Sequence, residues 1–157
     1  MIRPAIAADA PAIAAPPIAE LWNPWIADTA ITFTSTLKTP DDVARMIASR
    51  PAFFTTTDGI QGFAAYSQFR GGDGYAPCME HSVILSPKAR GRALMTAIED
   101  HARSQGARQM IAGISGENPA AIRFHQALGY HEVARIAEAG CKFGRYIDLV
   151  LLRKVLT

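Results

Sequence analysis

The strongest constraint on the fold is a hairpin signal near the middle of the chain. Two runs rich in β-branched and aromatic residues, 52–57 and 60–70, flank the dipeptide Asp58-Gly59. This turn sequence favours two antiparallel strands, because both residues accept the backbone angles of a tight hairpin. A third strand is predicted for 78–86, which ends at Pro87. The middle of the chain is therefore expected to form a mainly antiparallel unit.

The second half alternates between helices and strands. Apolar residues at helical spacing predict a helix over 93–104, and a buried strand over 109–114 follows it. Asn118-Pro119 opens another helix, and the strands 130–136 and 146–152 complete the sheet. This order predicts an α/β (α+β) fold, in which helices flank a mixed, mostly antiparallel central sheet.

The N-terminal part is predicted to contain interrupted helices. Asp9 is a candidate N-cap for a first helix, which Pro16-Pro17 should break or redirect. A second short helical piece is expected over 18–22, and the alternation of 29–35 favours an extended segment. Thr39-Pro40 begins a further helix, because threonine caps well and proline suits the first helical position.

Composition indicates an ordinary globular protein. The chain has 157 residues, of which 49% are hydrophobic and 19% charged, so we expect one domain spanning 1–157 rather than extensive disorder. A net charge of +2 without a basic cluster argues against nucleic acid as a partner. No uninterrupted apolar run approaches the roughly 18 residues of a membrane span, so no membrane partner is expected.

The two cysteines bear on disulfide bonds, metal binding and the cellular compartment. Cys78 and Cys141 are too few for a disulfide framework, and no Cys/His spacing predicts a metal site. Asp9 and Pro11 interrupt the apolar N-terminal stretch, so a secretion signal is not expected. Together these features favour a protein of the reducing cytoplasm.

Glu80-His81 is the most informative local feature, because it lies inside an otherwise apolar strand. Buried acids are rare unless they are paired, since desolvation penalises the charged form. The period of two places Glu80 and Ser82 on one face of the strand and His81 on the other. One interpretation is a structural ion pair or hydrogen bond; the other is a functional carboxylate.

Three further features each have two interpretations. Arg70 precedes a glycine-rich loop, which either recognises a carboxylate or forms a solvated turn. His125 lies on the inner stripe of a helix and is either a core histidine or a functional one. The stretch 115–118 leads into a helix N-terminus, where N–H groups attract anions, although Asn118 is equally explained as the helix cap.

Eight stretches of this chain occur in the order that is typical of one family of enzymes: Trp22-Asn23, 29–33, 62–70 (GFAAYSQFR), Gly74-Tyr75, 80–85 (EHSVIL), 115–118 (SGEN), 124–130 (FHQALGY) and 142–149 (KFGRYIDL). Together they resemble the GNAT superfamily of N-acetyltransferases and, within it, the phosphinothricin and methionine sulfoximine acetyltransferase branch. The resemblance implies direct transfer of an acetyl group from acetyl-CoA to the primary amine of a small amino acid or analogue. It also implies a homodimer, for which 147–152 is either an interface strand or a core strand.

The resemblance also assigns roles to individual residues. Glu80 matches the general base, and His125 stands where many members of the superfamily have a tyrosine that protonates the leaving thiolate. The strand Val83-Ile84-Leu85 matches the segment that pairs with the pantetheine arm and supplies an N–H group for the thioester oxyanion. Asn118 matches a residue that contacts the CoA arm. The acceptor pocket is implied to include Phe33, Arg70, Tyr75, His81 and Ser82.

Two departures from the family pattern bear on activity. The loop that binds the CoA pyrophosphate lacks about one helical turn, roughly four residues, including two glycines; Arg90, Gly91 and Arg92 are the remaining candidates for phosphate contacts. The shortened loop is the reason for an alternative hypothesis, in which the domain is catalytically weak and binds a ligand or partner. The other departure is Pro16-Pro17 in the first helix. A third possibility keeps the enzyme but changes the acceptor to a polyamine, an aminoglycoside or a protein N-terminus.

Overall fold

The predicted hairpin lies within a larger sheet. The computed structural model describes residues 1–6, 15–57, 59–89 and 91–157. Ala52 lies opposite Tyr66 across an antiparallel pair, and Asp58 of the turn lies outside the described residues. The elements in chain order are β1 (Ile2–Pro4), α1 (Ala15–Asp28), α2 (Pro40–Ser49), β2 (Ala52–Thr56), β3 (Gly62–Gln68), β4 (Cys78–Leu85), α3 (Gly91–Ser104), β5 (Gln109–Ser115), α4 (Pro119–Gln126), β6 (His131–Lys142) and β7 (Arg145–Val155).

The strands form one seven-stranded sheet in the order β1-β2-β3-β4-β5-β7-β6. All neighbouring strands are antiparallel except β4 and β5, which run parallel in the middle of the sheet. This confirms the mixed, mostly antiparallel α/β fold. β7 pairs with both β5 and β6, and its Val150 and Leu152 are fully buried, so the C-terminal strand belongs to the core.

Helices cover both faces of the sheet. On one face, α3 contributes Leu94 to a core that includes Met110 of β5. On the other face, α1 and α2 contribute Ile18 and Val43 to a second core around Phe63. Burying each of these larger side chains stabilises the fold by about 1.5–3 kcal/mol. None of the described helices is long and apolar enough to cross a membrane.

The prediction of a separate helical piece over 18–22 is wrong. Pro16-Pro17 lie in the first turn of α1, where backbone N–H groups have no partner within the helix, so proline does not break it. α1 also continues through Pro24 to Asp28, and 18–22 is therefore not a separate piece. The segment 29–35 forms a loop rather than a strand. The candidate cap Asp9 lies outside the described residues, and the sequence did not predict the short strand β1.

Candidate active site

The sheet opens between its two parallel strands. β4 and β5 pair at three positions, the last of which joins Glu80 to Ile111. β4 continues to Leu85 and β5 continues to Ser115, but no pairing between described residues holds these second halves together. The two strands therefore diverge after Glu80 and leave part of each inner edge open.

A cleft of about 330 Å³ occupies this opening. It brings together eight of the residues that the sequence predicted for the site, namely Phe33, Glu80, His81, Ser82, Val83, Ile84, Asn118 and His125. No role is predicted for the other lining residues, which are Trp22, Ile31, Thr32, Gly113, Ile114, Ser115, Ala121 and Leu149. Among the described residues, no group of three or more His, Cys, Asp or Glu side chains could hold a metal ion.

The open edge of β4 presents backbone donors to the cleft. At one end of the β3–β4 ladder the N–H of Phe69 donates to the carbonyl of Cys78. At the other end the N–H of Ser86 donates to the carbonyl of Gln61. Because backbone groups alternate in direction along an antiparallel pair, the even-numbered residues of β4 bond to β3. The N–H groups of Val83 and Leu85 therefore point away from β3, toward the opening.

The carboxylate of Glu80 lies against Gly113 on the neighbouring strand. A Cβ added at residue 113 would lie 2.9 Å from Oε1 of Glu80 and 3.7 Å from Cδ1 of Leu149. Ordinary carbon contacts are longer than the first distance, so a larger residue there would displace the carboxylate. The sequence signal that could have identified this position is a glycine inside an apolar strand, which is typical of close approach by another group.

The surroundings of Glu80 suit its carboxylate to accept a proton. Burial raises the pKa of Glu80, and the positive charge of Arg50 opposes part of this effect. Among the described residues none donates a hydrogen bond to the carboxylate. A carboxylate with a raised pKa is a stronger base than an ordinary one, which suits it to remove a proton from a reacting group.

We expect Gly113→Ala to lower the rate of the reaction that depends on Glu80 by at least tenfold, because small displacements of a catalytic group are costly. Tight binding of the cosubstrate should be retained, since the added methyl group faces the carboxylate rather than the edge of β4. Steady-state kinetics of the variant test this. Gly71→Ala is the matched control, because a Cβ at residue 71 contacts nothing within 4 Å. A Gly113→Ala enzyme as active as this control would contradict the placement of Glu80.

His81 and His125 form a buried stacked pair beside the cleft. Their ring planes differ by 8° and their centroids are 5.0 Å apart, and the ring of Tyr130 packs edge-on against both. Burial, together with the charge that His125 can carry, lowers the pKa of His81 to about 3. Neither ring nitrogen of His81 has a hydrogen-bond partner among the described residues. His81 is therefore neutral at physiological pH.

His125 is fixed by the helix that carries it. Its Nδ1 lies 2.8 Å from the carbonyl oxygen of Ala121, and because a carbonyl only accepts, the proton of neutral His125 is on Nδ1. Its Nε2 is buried without a partner among the described residues. Burial also lowers the pKa of His125. Asn118 caps the same helix, since its Oδ1 accepts a hydrogen bond from the N–H of Ala121 at 3.1 Å.

Two predicted acceptor residues lie outside the cleft lining. Arg70 and Tyr75 belong to the exposed segment after β3, where the guanidinium carbon of Arg70 lies 5.7 Å from the centre of the Tyr75 ring. They therefore contact each other rather than the cleft, and their role in binding an acceptor stays a prediction.

Two of the predicted phosphate-binding residues, Gly91 and Arg92, also lie outside the cleft lining. A Cβ at Gly91 would overlap the side chain of Leu85 and lie 3.0 Å from Cζ of Phe124, so these residues are closely packed where α3 begins. Arg92 donates from Nη2 to the carbonyl of Ala127 at 3.4 Å. Arg90 lies outside the described residues. The assignment of these residues to phosphate binding is untested by this geometry.

A sheet that opens between two parallel strands, with backbone donors on one edge and a carboxylate beside it, is the arrangement that the resemblance to the N-acetyltransferases implies. The chain belongs to the GNAT acetyltransferase family, because the model described as "Acetyltransferase (GNAT) domain" matches residues 19–151. This confirms the resemblance found in the sequence, and the chain is an N-acetyltransferase by family, with acetyl-CoA as cosubstrate.

Known proteins agree with this assignment. The chain is 33% identical over 146 residues to an L-amino acid N-acyltransferase of Escherichia coli, with 87% of this chain and 85% of the relative covered. The same values hold for an L-methionine sulfoximine/L-methionine sulfone acetyltransferase of Salmonella typhimurium. The crystal structure of a GNAT superfamily phosphinothricin acetyltransferase from Sinorhizobium meliloti in complex with AcCoA superposes with a TM-score of 0.84 and 28% identity, covering 99% of this chain and 87% of that one.

Proposed function

We propose that this protein transfers the acetyl group of acetyl-CoA to the primary amine of a small amino acid or amino-acid analogue, of the kind represented by methionine sulfoximine and phosphinothricin. The observation that carries the proposal is the position of Glu80, a carboxylate with a raised pKa in the cleft that begins where β4 leaves β5. The names of the relatives from Escherichia coli and Salmonella typhimurium support this class of acceptor.

The residues of the cleft fit an extended acyl donor along β4. The N–H groups of Val83 and Leu85 face the opening, so they are available to the pantetheine amides and to the thioester oxygen. A preplaced N–H donor stabilises the negative charge that develops on that oxygen during transfer. Ser82, Ile84 and Asn118 belong to the same lining, and Asn118, at the start of α4, is proposed to contact the arm of the donor.

Glu80 is proposed to remove the proton that keeps the acceptor nitrogen unreactive. An amine is protonated near neutral pH, and its nitrogen can attack the thioester carbon only after losing a proton. This first proton goes to the Glu80 carboxylate. The nitrogen then forms the new bond to the thioester carbon and loses a second proton to water, and the carbon–sulfur bond breaks. The departing thiolate takes up a proton to give CoA.

His125 contributes to this last step only in its doubly protonated form. In the neutral ring the proton is held at Nδ1 by Ala121, so Nε2 accepts a proton rather than donating one. Burial disfavours the charged ring. Because a thiol has a pKa near 8.5, protonation of the leaving group from solvent is sufficient near neutral pH, and His125 adds a modest rate advantage.

We also propose a cytoplasmic homodimer. The support lies in the hairpin of β6 and β7, where Val133, Ile136 and Tyr146 are large apolar residues that remain exposed. Sedimentation of the protein at micromolar concentration checks this, and a monomeric mass across that range contradicts it.

An acceptor panel tests the proposed function. Incubation with acetyl-CoA and L-amino acids, methionine sulfoximine, phosphinothricin, spermidine and an aminoglycoside should release thiol fastest with the amino-acid analogues. Calorimetric titration with CoA separates the alternatives, because a domain weakened by its short phosphate loop would neither bind CoA in the micromolar range nor release thiol. Fastest release with spermidine or the aminoglycoside would instead assign a polycationic acceptor.

A further inference from the structure

The loop between α1 and α2, residues 29–39, forms one wall of the cleft. Its Ile31, Thr32 and Phe33 line the cavity that also contains Glu80. A loop has no ladder of hydrogen bonds to fix its course, so its position depends on contacts made by other parts of the chain. Asn23 holds the far end, because its side chain accepts from the N–H of Lys38 at 2.8 Å and donates to the carbonyl of the same residue at 3.0 Å.

Lys142 of β6 holds the middle of this loop. Its Nζ donates to the carbonyl of Thr32 at 2.9 Å and to the carbonyl of Ile26 at 2.6 Å. Lys142 is only 3% exposed, and among the described residues no carboxylate lies within ion-pair distance of its ammonium group. A buried ammonium group without an opposite charge is unfavourable unless it is fully hydrogen-bonded. A contribution to the overall stability of the fold therefore does not account well for a buried lysine at this position. Its two hydrogen bonds, which fix the carbonyls of Ile26 and Thr32, account for it better.

Gly140, on the same strand, packs against Phe33, the residue that follows Thr32 in the loop. A Cβ at residue 140 would overlap the ring of Phe33, and the three nearest atoms to it all belong to that ring. Phe33 therefore lies flat against the backbone of β6. Because Gly140 and Lys142 are two residues apart, they face the same side of the strand, and they fix the main chain of Thr32 and the side chain of Phe33 together.

We propose that Lys142 and Gly140 are positioning residues that hold Phe33 at the cleft and thereby limit the size of the amine that the enzyme accepts. The inference rests on the proposed function, since a fixed Phe33 limits the acceptor only if the amine enters this cleft. Neither residue lines the cleft itself, so both act on the acceptor through the loop and Phe33 rather than by touching acetyl-CoA.

Lys142→Met tests the first contact, because methionine keeps an unbranched side chain and removes the donors. The KM for a small amino-acid acceptor should rise on the order of tenfold, as expected when a positioning contact is lost. The KM for acetyl-CoA should stay unchanged, and amines bulkier than methionine sulfoximine should gain relative to it. Equal increases in both KM values, or an unchanged order of acceptors, would overturn the proposal.

A double-mutant cycle tests the second contact without removing a buried charge. Gly140→Ala should raise the KM for the acceptor, because the methyl group displaces the Phe33 ring. In a Phe33→Ala background the same substitution meets no ring, so it should change the acceptor KM by less than about twofold, the usual limit of additivity. An equal effect of Gly140→Ala in both backgrounds would show that Phe33 does not carry it.

Amide hydrogen exchange separates a failure of this proposal from a failure of the proposed function. Exchange in 29–39 should accelerate in Lys142→Met while exchange in α3 and β5 stays as in the wild type, whether or not any amine is acetylated. Unchanged exchange in 29–39 would overturn the positioning role. A wild-type protein that acetylates no member of the panel would overturn the proposed function and, with it, the limit on acceptor size.

Discussion

Replacing Glu80 by glutamine is expected to lower kcat/KM for amine acetylation by about 10²–10⁴-fold, the usual contribution of a positioned general base. Glutamine keeps the size of the side chain above Gly113 but cannot take up a proton. The affinity for CoA should be retained, because the carboxylate does not belong to the open edge of β4. Steady-state kinetics together with calorimetric titration of CoA provide the measurement.

The pH dependence gives this prediction its control. Because burial raises the pKa of Glu80, the wild-type kcat/KM should fall on the acid side at a pH above the ordinary carboxyl range, as the carboxylate takes up a proton. That acid limb should be absent in Glu80→Gln. A variant with wild-type activity, or one that keeps the limb, would show that another group is the base.

Stability should not account for the loss of activity. Since the pKa of Glu80 is raised in the folded state, the folded protein disfavours the ionised form, and its contribution to stability decreases as the pH rises through that pKa. Glu80→Gln removes this unfavourable ionisation. The variant should therefore unfold at the wild-type temperature or above it at neutral pH, and a large decrease would indicate a structural role instead.

Replacing Val83 by proline is expected to lower kcat by about 10²–10³-fold, the usual effect of losing one donor to a developing oxyanion. The direction of hydrogen bonding along β4 leaves the Val83 N–H outside the β3–β4 ladder. Proline removes that N–H and is tolerated where a strand edge carries no ladder bond. Kinetics with a small amino acid and a far-ultraviolet circular dichroism spectrum provide the measurement.

Val83→Ala is the matched control, because it shortens the side chain and keeps the N–H group. This variant should retain most of the activity. If Val83→Ala loses as much activity as Val83→Pro, the side chain and not the backbone donor is responsible. If Val83→Pro is folded and fully active, the oxyanion is stabilised elsewhere.

Local signals in the sequence predicted the elements that depend on local physics. Thr39 caps α2 as predicted, since its Oγ1 accepts from the N–H of Asp42 at 3.1 Å, and Asp42 Oδ2 in turn accepts from the N–H of Thr39 at 2.9 Å. The same local patterns gave wrong predictions where the effect of a residue depends on its position within a helix, or where a segment packs against distant parts of the chain. Pro16-Pro17 is a helix breaker inside a helix but not in its first turn, and the pattern does not reveal where α1 begins. The alternation over 29–35 favours a strand, but this segment packs as the wall of the cleft.

The sequence predicted part of the cleft lining but not its geometry. Glu80 stands out as an acid in an apolar strand, and the family resemblance gave it a role. The stacking of His81 on His125 joins two elements far apart in the sequence, which no local pattern encodes. The same is true of Lys142, whose Nζ bonds to a carbonyl 116 residues away.

The most direct test is a crystal structure of the protein with CoA and an amino-acid acceptor. The pantetheine arm should lie in the opening between β4 and β5 with an amide or carbonyl bonded to the backbone of Val83. The acceptor nitrogen should lie within hydrogen-bonding distance of the Glu80 carboxylate, directly or through one water molecule. Density for CoA elsewhere, with the opening closed by the protein's own side chains, would contradict the account.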